Sequence, residues 1–269
     1  MTTAVITVCS AGRLDHLRHQ ASAVRRQAAD VYVVVWVGAE PPGDLDADVV
    51  VHVPPGPDGV RVAAARNAGA AQAIDRGANL LVFLDADCVP GERTLERYAE
   101  VAAERPDAAL CGPVTYLPDG IDASDPAELA LRTDPHAARP RPDDGALRDA
   151  TADEYELFWS LSFAVTAARW RSGPRFDPGY EGYGAEDTDL AFALRDRGVP
   201  LVWVGGAHAY HQYHPTQSPP WQHLEDILRN GARFAERWGT WPMGGWLAQF
   251  EAAGAISWDG AGWRRSVPG

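Results

Sequence analysis

The stretch Leu80–Glu92, LLVFLDADCVPGE, decides how this chain is read. An apolar run leads directly into Asp85-Ala86-Asp87, and Pro90-Gly91 follows. Alternate side chains of a strand point the same way. A strand carried through this pair would therefore set both carboxylates on one face at its exit. Like charges that close repel unless a cation or a set of donors lies between them. The pair can also cap the next helix or bind turn amides, but a buried strand end is a costly place for carboxylates.

Working outward, the pattern alternates strand and helix. AVITVCS (4–10), VYVVVWVG (31–38) and VVVHV (49–53) read as strands, the second apolar throughout, as expected where both faces are covered. RLDHLRHQASAVRRQA (13–28) has a helical period that aligns Leu14, Leu17, Ala21 and Val24. VRVAAARNAGAAQAIDRG (60–77) reads as an Ala-rich helix closed by Gly77. Such a series predicts an α/β fold with a largely parallel sheet, whose ligands bind at the carboxyl ends of its strands. Asp85 and Asp87 lie at one of those ends.

Residues 117–155 break the pattern. They are rich in Pro, Asp and Ala, with one weak helical patch and little to bury. They are expected to form a mobile connection, either a lid or a disordered segment. LFWSLSFAVTAARW (157–170) reads as a strand and a short helix. FDPGYEGYGAEDTDLAFALRDRG (176–198) reads as a Gly- and Tyr-rich loop opening a helix. VPLVWVGG (199–206) is another strand, followed by AHAYHQYHP (207–215). An amphipathic helix, WQHLEDILRNGARFAERWG (221–239), opens a Trp-rich tail. The expected divisions are 1–116, 117–155, 156–215 and 216–269.

The composition excludes several classes. The 269 residues suit one large domain or two closely packed ones, and 46% hydrophobic content supplies a core. A formal net charge of −13 argues against nonspecific nucleic-acid binding and against an anionic membrane surface. It leaves room for an anionic ligand held by a few arginines, which supply every basic charge because the chain has no lysine. Cys9, Cys88 and Cys111 form neither a zinc pattern nor a disulfide framework, so buried free thiols in a reducing compartment are expected. The N-terminus lacks the basic region of a signal peptide. No run reaches the ~18 apolar residues of a membrane span. These features predict a cytoplasmic protein.

Three clusters carry chemistry. Asp85 and Asp87 are the first. Glu181, Glu186, Asp187 and Asp189 are the second. Helix-start electrostatics account for Asp189 and Glu186, but not for the flexible GYEGYG before them, which suits close approach of a ligand. His208, His211 and His214 are the third. Their regular spacing suggests a metal site with one imidazole ligand, the other two serving as polar or packing residues. One carboxylate and one imidazole would hold a divalent ion against a diphosphate, while a second acidic residue acts as base. Arg13 and Arg66 fit the anion.

Taken together, the segments AAARNAGAAQAIDRGANLLVFLDADCVP, GYGAEDTDLAFALRDRG and AYHQYHP resemble GT-A fold glycosyltransferases. They are most similar to glycosyltransferase family 2 with a galactosyltransferase-like C-terminal motif. The likeness spans roughly 3–115 and 156–215. It implies a GT-A fold with a Rossmann-like central sheet, a helical C-terminal tail and transfer of a sugar from a UDP-sugar to an acceptor hydroxyl with inversion. It further implies that Asp87 and His211 ligate Mn²⁺ or Mg²⁺, with Asp85 holding the ribose or sugar or assisting the metal. Asp187 becomes the general base, with Glu186 positioning substrate beside it. Arg13 meets the diphosphate, and the uracil lies near Ser10 and the end of the second strand. The run WVGAE departs from the family's usual Asp after that strand.

Three rivals stand beside this reading. A nucleotidyltransferase would want a glycine-rich N-terminal loop, and CSAGR is short and poor in glycine. A non-catalytic carbohydrate-binding scaffold would have no reason to keep Asp85, Asp87, Asp187 and His211. A retaining transferase would share donor and metal but not the role of Asp187. Nine of the ten tryptophans lie at or after Trp159. Trp159, Trp170 and Trp203 are expected in the core. Those of the tail would line an acceptor groove, form a self-association patch, or pack the tail onto the domain.

Overall fold

A computed structural model describes residues 1–266. The strands are β1 (Thr3–Cys9), β2 (Val31–Trp36), β3 (Val49–His52), β4 (Leu80–Leu84), β5 (Cys88–Pro90), β6 (Ala109–Cys111), β7 (Val114–Tyr116), β8 (Leu147–Asp149), β9 (Ser162–Thr166), β10 (Leu201–Val204), β11 (Ala209–His211), β12 (Ile256–Trp258) and β13 (Trp263–Arg265). The helices are α1 (Leu14–Arg26), α2 (Val62–Asp75), α3 (Thr94–Glu104), α4 (Pro126–Leu131), α5 (Ala167–Ser172), α6 (Glu186–Asp196), α7 (Leu224–Trp238) and α8 (Gly244–Ala252).

The main sheet runs β3-β2-β1-β4-β9-β6-β10-β8. Its first half is parallel, as the βαβ series predicts, with β1 between β2 and β4. The second half is mixed. β9 runs antiparallel to both β4 and β6, β10 is parallel to β6, and β8 closes the edge antiparallel to β10. All of β2 and β4 is buried, which explains their unbroken apolar sequences. The Ala-rich α2 packs closely on this sheet. A Cβ on Gly69 would come within 2.6 Å of Ile6 and 2.9 Å of Val35, so glycine there permits the approach.

A second sheet, β5-β11-β7, stands at the carboxyl end of β4. Its register sets His211 opposite Cys88 on one side and Tyr116 on the other. This pairing, invisible to local pattern, carries the histidine segment to the Asp85–Asp87 turn.

Residues 117–155 bury more than their composition predicts. Leu117, Ala123 and Leu129 pack with Val89 and Tyr210, and β8 supplies the edge of the main sheet. β8 is short and reads LRD, so neither length nor alternation marks it as a strand. The tail holds the expected helix and also a β12–β13 hairpin. Trp170 and Trp203 are buried and Trp159 half-buried, whereas Trp241, Trp246 and Trp263 pack around Ile227, Leu247 and Phe250 of the tail's own core. Cys9, Cys88 and Cys111 are buried free thiols, and burial pushes Cys9 and Cys111 up to about 12. Among the described residues, no helix is long and apolar enough to cross a membrane.

Candidate active site

The two aspartates do not share a strand face. β4 stops at Leu84, and residues 85–87 turn, with Cys88 N–H donating to the Asp85 carbonyl at 2.8 Å. Each carboxylate thus has its own cation. Asp85 Oδ1 accepts from Arg66 at 2.7 Å, and Asp87 Oδ2 accepts from Arg13 at 2.9 Å. The turn is fastened from beneath by Gln20, which is fully buried on α1. Its Nε2 donates to the carbonyls of Asp85 and Cys88 at 2.6 and 2.7 Å. Its Oε1 accepts from Thr7 and Tyr32. A glutamine among the apolar positions of a helix was the available signal for this residue, and periodicity alone passes over it.

The histidines divide. Asp87, His211 and His214 offer ligand atoms that all lie within 4.8 Å of one another, so two imidazoles converge rather than the single one expected. β11 ends at His211, and the chain bends around Asp87, where Gln212 N–H donates to the Asp87 carbonyl at 2.7 Å. His214 is returned to the same carboxylate by this bend. Arg13 Nη2 lies 3.1 Å from His214 Nε2, beside the cluster. His208 leaves in the other direction. Its Nε2 meets Thr115 Oγ1 at 2.8 Å, and burial brings its pKa down to about 4. With Tyr210 it lines a separate cavity of about 420 Å³ walled also by Ala23, Gln27 and Leu129.

One carboxylate and two imidazoles form a donor set suited to Mn²⁺ or a similar divalent ion. Burial alone would raise the Asp87 carboxyl. The hydrogen bond with His214 and the charges of His211 and Arg13 outweigh it, so the group sits well below the usual carboxylate range. Asp85 is outside this converging set, its oxygen being taken by Arg66. Of its two expected roles, holding the ribose or sugar or assisting the metal, this placement favours the first.

Arg66 is buried and joins the two acidic clusters. Its Nη1 donates to Glu186 at 3.1 Å while Nη2 holds Asp85, and Phe176 lies 5.0 Å from its guanidinium carbon. Burial opposes its charge, but Asp85 and Glu186 more than restore it, so its pKa rises. Ser10 precedes the short helical turn Ala11–Arg13, its carbonyl accepting from Arg13 N–H at 2.9 Å.

Asp187 lies in the first turn of α6 and is half-buried. Oδ1 accepts from Thr188 N–H at 2.7 Å. Burial, then the neighbouring Glu186 charge, raises its carboxyl to about 7, against the lowering effect of Thr188 and Arg66. The helix-start depression of basicity is therefore overcome.

The loop before α6 is strained and held from outside. Gly182, Gly184 and Ala185 have φ of 75°, 90° and 74°. Asn230 Nδ2 on α7 donates to the carbonyls of Glu181, Tyr183 and Gly184 at 3.0, 3.1 and 3.0 Å. Asp189 is fully buried and accepts from Arg237, Trp238 and Tyr180. It anchors the tail rather than serving only as a helix-start charge. Neither Asn230 nor Asp189 announces this role locally, since the loop partners of Asn230 and the α7 partners of Asp189 lie more than forty residues away in the chain.

Residues 45–159 match the profile of Glycosyl transferase family 2. The chain is 31% identical over 164 residues to validoxylamine A glucosyltransferase of Streptomyces hygroscopicus subsp. jinggangensis (strain 5008), covering 54% of this chain and 37% of that protein. The counterpart from Streptomyces hygroscopicus subsp. limoneus gives 31% identity over 164 residues, with 35% of its length covered. The chain therefore spans little more than a third of the length of the curated relatives it matches. Its fold is similar to that of GalNAc-T7 solved with UDP, GalNAc and Mn²⁺, with a TM-score of 0.60 at 17% identity over 88% of this chain and 48% of that one. S. aureus TarS 1-349 in complex with UDP-GlcNAc also gives a TM-score of 0.60, at 14% identity over 87% of this chain and 66% of that one. Over residues 45–159 the chain thus matches glycosyltransferase family 2, and its overall fold is similar to that of GT-A glycosyltransferases.

Proposed function

We propose that this protein transfers a hexose from a UDP-sugar to an acceptor hydroxyl, with the aid of a divalent ion and with inversion. The observation that carries the reading is the convergence of Asp87, His211 and His214 beside Arg13, and with it the contrast between two acidic groups. Asp87 is held ionised beside His211 and His214, whereas the Asp187 carboxyl is raised to about 7. A ligand needs the first property and a general base working near neutrality needs the second.

Asp87, His211 and His214 would hold the ion, which when bound supplies positive charge against the departing diphosphate. Arg13 donates to Asp87, lies beside His214 and is placed to turn its guanidinium toward a phosphate oxygen. Arg66 fixes Asp85 and Glu186 in place by hydrogen bonds of 2.7 and 3.1 Å, which would position them to meet sugar or ribose hydroxyls. Asp187 takes the proton from the acceptor oxygen as that oxygen forms its bond to the anomeric carbon. The bond from that carbon to the diphosphate oxygen breaks on the opposite face, which inverts the centre. The relatives that support this reading are a glucosyltransferase by its name and proteins solved with UDP, GalNAc, Mn²⁺ or UDP-GlcNAc.

The test is UDP release from UDP-glucose, UDP-galactose and UDP-GlcNAc with Mn²⁺ and a panel of sugar acceptors. One donor should turn over with an acceptor, and its product should carry the inverted anomeric configuration. A product that retains the donor's configuration would remove Asp187 from its role as base for direct displacement.

A further inference from the structure

Arg139 has no role in the chemistry above, yet its setting is unusual. It is 5% exposed, and its Nε, Nη1 and Nη2 are all buried without a hydrogen-bond partner. Among the described residues no carboxylate pairs with it. The guanidinium carbon lies 5.6 Å from the ring centre of Trp159 and 5.1 Å from that of Trp203. Aromatic faces attract a cation but accept none of its N–H bonds at the edge. A guanidinium does not escape burial by losing its proton. A buried charge with its donors unused is costly, so the arrangement is complete only with an anion.

The position connects this charge to the candidate metal centre. His211 stacks on Tyr116 at 4.5 Å, Tyr116 meets His136 at 5.4 Å, and His136 meets Trp159 at 5.0 Å. Arg139 N–H donates to the His136 carbonyl at 3.1 Å. His136 is exposed and Trp159 half-buried, so the Trp159 side of Arg139 lies next to solvent, while Trp203 closes the inner side. Trp203 comes from β10, whose carboxyl end is among the strand ends where ligands of such sheets bind.

We infer that Arg139 is the base of a subsite for a carboxylate carried on a sugar ring. The guanidinium edge matches a planar carboxylate through two parallel hydrogen bonds, and the aromatic walls suit the ring that bears it. The transferase reading bears only on which substrate brings the carboxylate, an acidic donor sugar or an acidic acceptor.

The experiment titrates D-glucuronate into the full chain, with D-glucose and sulfate as controls, by calorimetry and thermal melting. Glucuronate should bind saturably, at least about tenfold tighter than glucose, and at hundredfold excess over Kd raise the melting temperature by roughly 5 °C. Arg139→Met should lose this response while melting no lower than wild type, since it removes an unpaired buried charge. Arg139→Gln provides the same comparison if the Met variant does not fold. With an acidic donor, UDP-glucuronate should bind about tenfold tighter than UDP-glucose, a preference absent in the variant. With an acidic acceptor, free glucuronate should bind in the presence of saturating UDP. Equal responses in wild type and variant, or glucuronate no better than glucose or sulfate, would mean an adventitious ion only and overturn the inference. Failure of UDP to bind while glucuronate still does would strike the transferase reading and leave the subsite standing.

Discussion

The Asp85–Asp87 turn and the Glu186–Asp187 helix start use the same residue types to opposite ends. At the turn, two buried-side cations and two histidines surround the carboxylates, and Gln20 locks the backbone beneath them. At the helix start, Asp187 has Glu186 beside it and only backbone and Arg66 charge in its favour. Charge compensation holds the Asp87 carboxyl well below the usual carboxylate range, whereas burial raises that of Asp85 despite Arg66. The near-absence of such compensation makes Asp187 a group that can both take and hold a proton. Identity of side chain thus says less about role than the count of cations within reach.

Changes that erase this contrast should have the largest effects. Asp187→Asn keeps the shape but cannot accept a proton, so kcat for transfer should fall roughly 10³-fold with UDP affinity unchanged. Steady-state rates beside a UDP titration separate the two quantities. The same variant should be more stable than wild type at pH 8. A carboxyl raised in the folded state binds a proton that the unfolded chain has already released, so its contribution to stability is lost as pH rises from about 4 to about 7. After allowance for its open side, the gain on removal is on the order of 2 kcal/mol, read from denaturant midpoints.

Next in size is the pH profile. Wild-type kcat/KM should rise about tenfold per pH unit below pH 7 and level above it, because the base must be deprotonated. A profile measured at saturating Mn²⁺ that is flat from pH 5 to 8 would contradict the assignment.

Gln20→Leu sharpens the other side of the comparison. It leaves the Asp85 and Cys88 carbonyls and the Tyr32 hydroxyl without their partner, at a cost of about 2–4 kcal/mol. Because the turn loosens, UDP affinity with Mn²⁺ should weaken as well. The smallest effect is expected at Asn230→Ala, which frees the loop carbonyls of Glu181, Tyr183 and Gly184. It should raise KM for the acceptor severalfold while the UDP affinity stays within about twofold, since the loop leads directly into α6 and Asp187.

Much of this architecture is legible in sequence where structure is local. The unbroken apolar runs of β2 and β4 and the Ala-rich α2 with Gly69 follow from period and residue size. What is hidden follows from long-range pairing. Nothing within AYHQYHP says that His211 pairs opposite Cys88, so its approach to Asp87 depends on β11 entering between β5 and β7. The convergence of His214 depends on a bend after β11 that extended geometry does not predict. Asp189 and Asn230 look like ordinary helix residues until α7 is laid against the loop before α6. The edge strand β8 is polar and brief, and only its partner β10 makes it a strand.

The most direct measurement is calorimetric titration of UDP into wild type, His211→Ala and Asp87→Asn, each with Mn²⁺ and with chelator. Wild type should bind at least about tenfold tighter with Mn²⁺, and both variants should show the weaker affinity whether or not the ion is added. Metal-independent UDP binding in wild type, or a full Mn²⁺ effect retained in both variants, would contradict the placement of the ion at Asp87, His211 and His214.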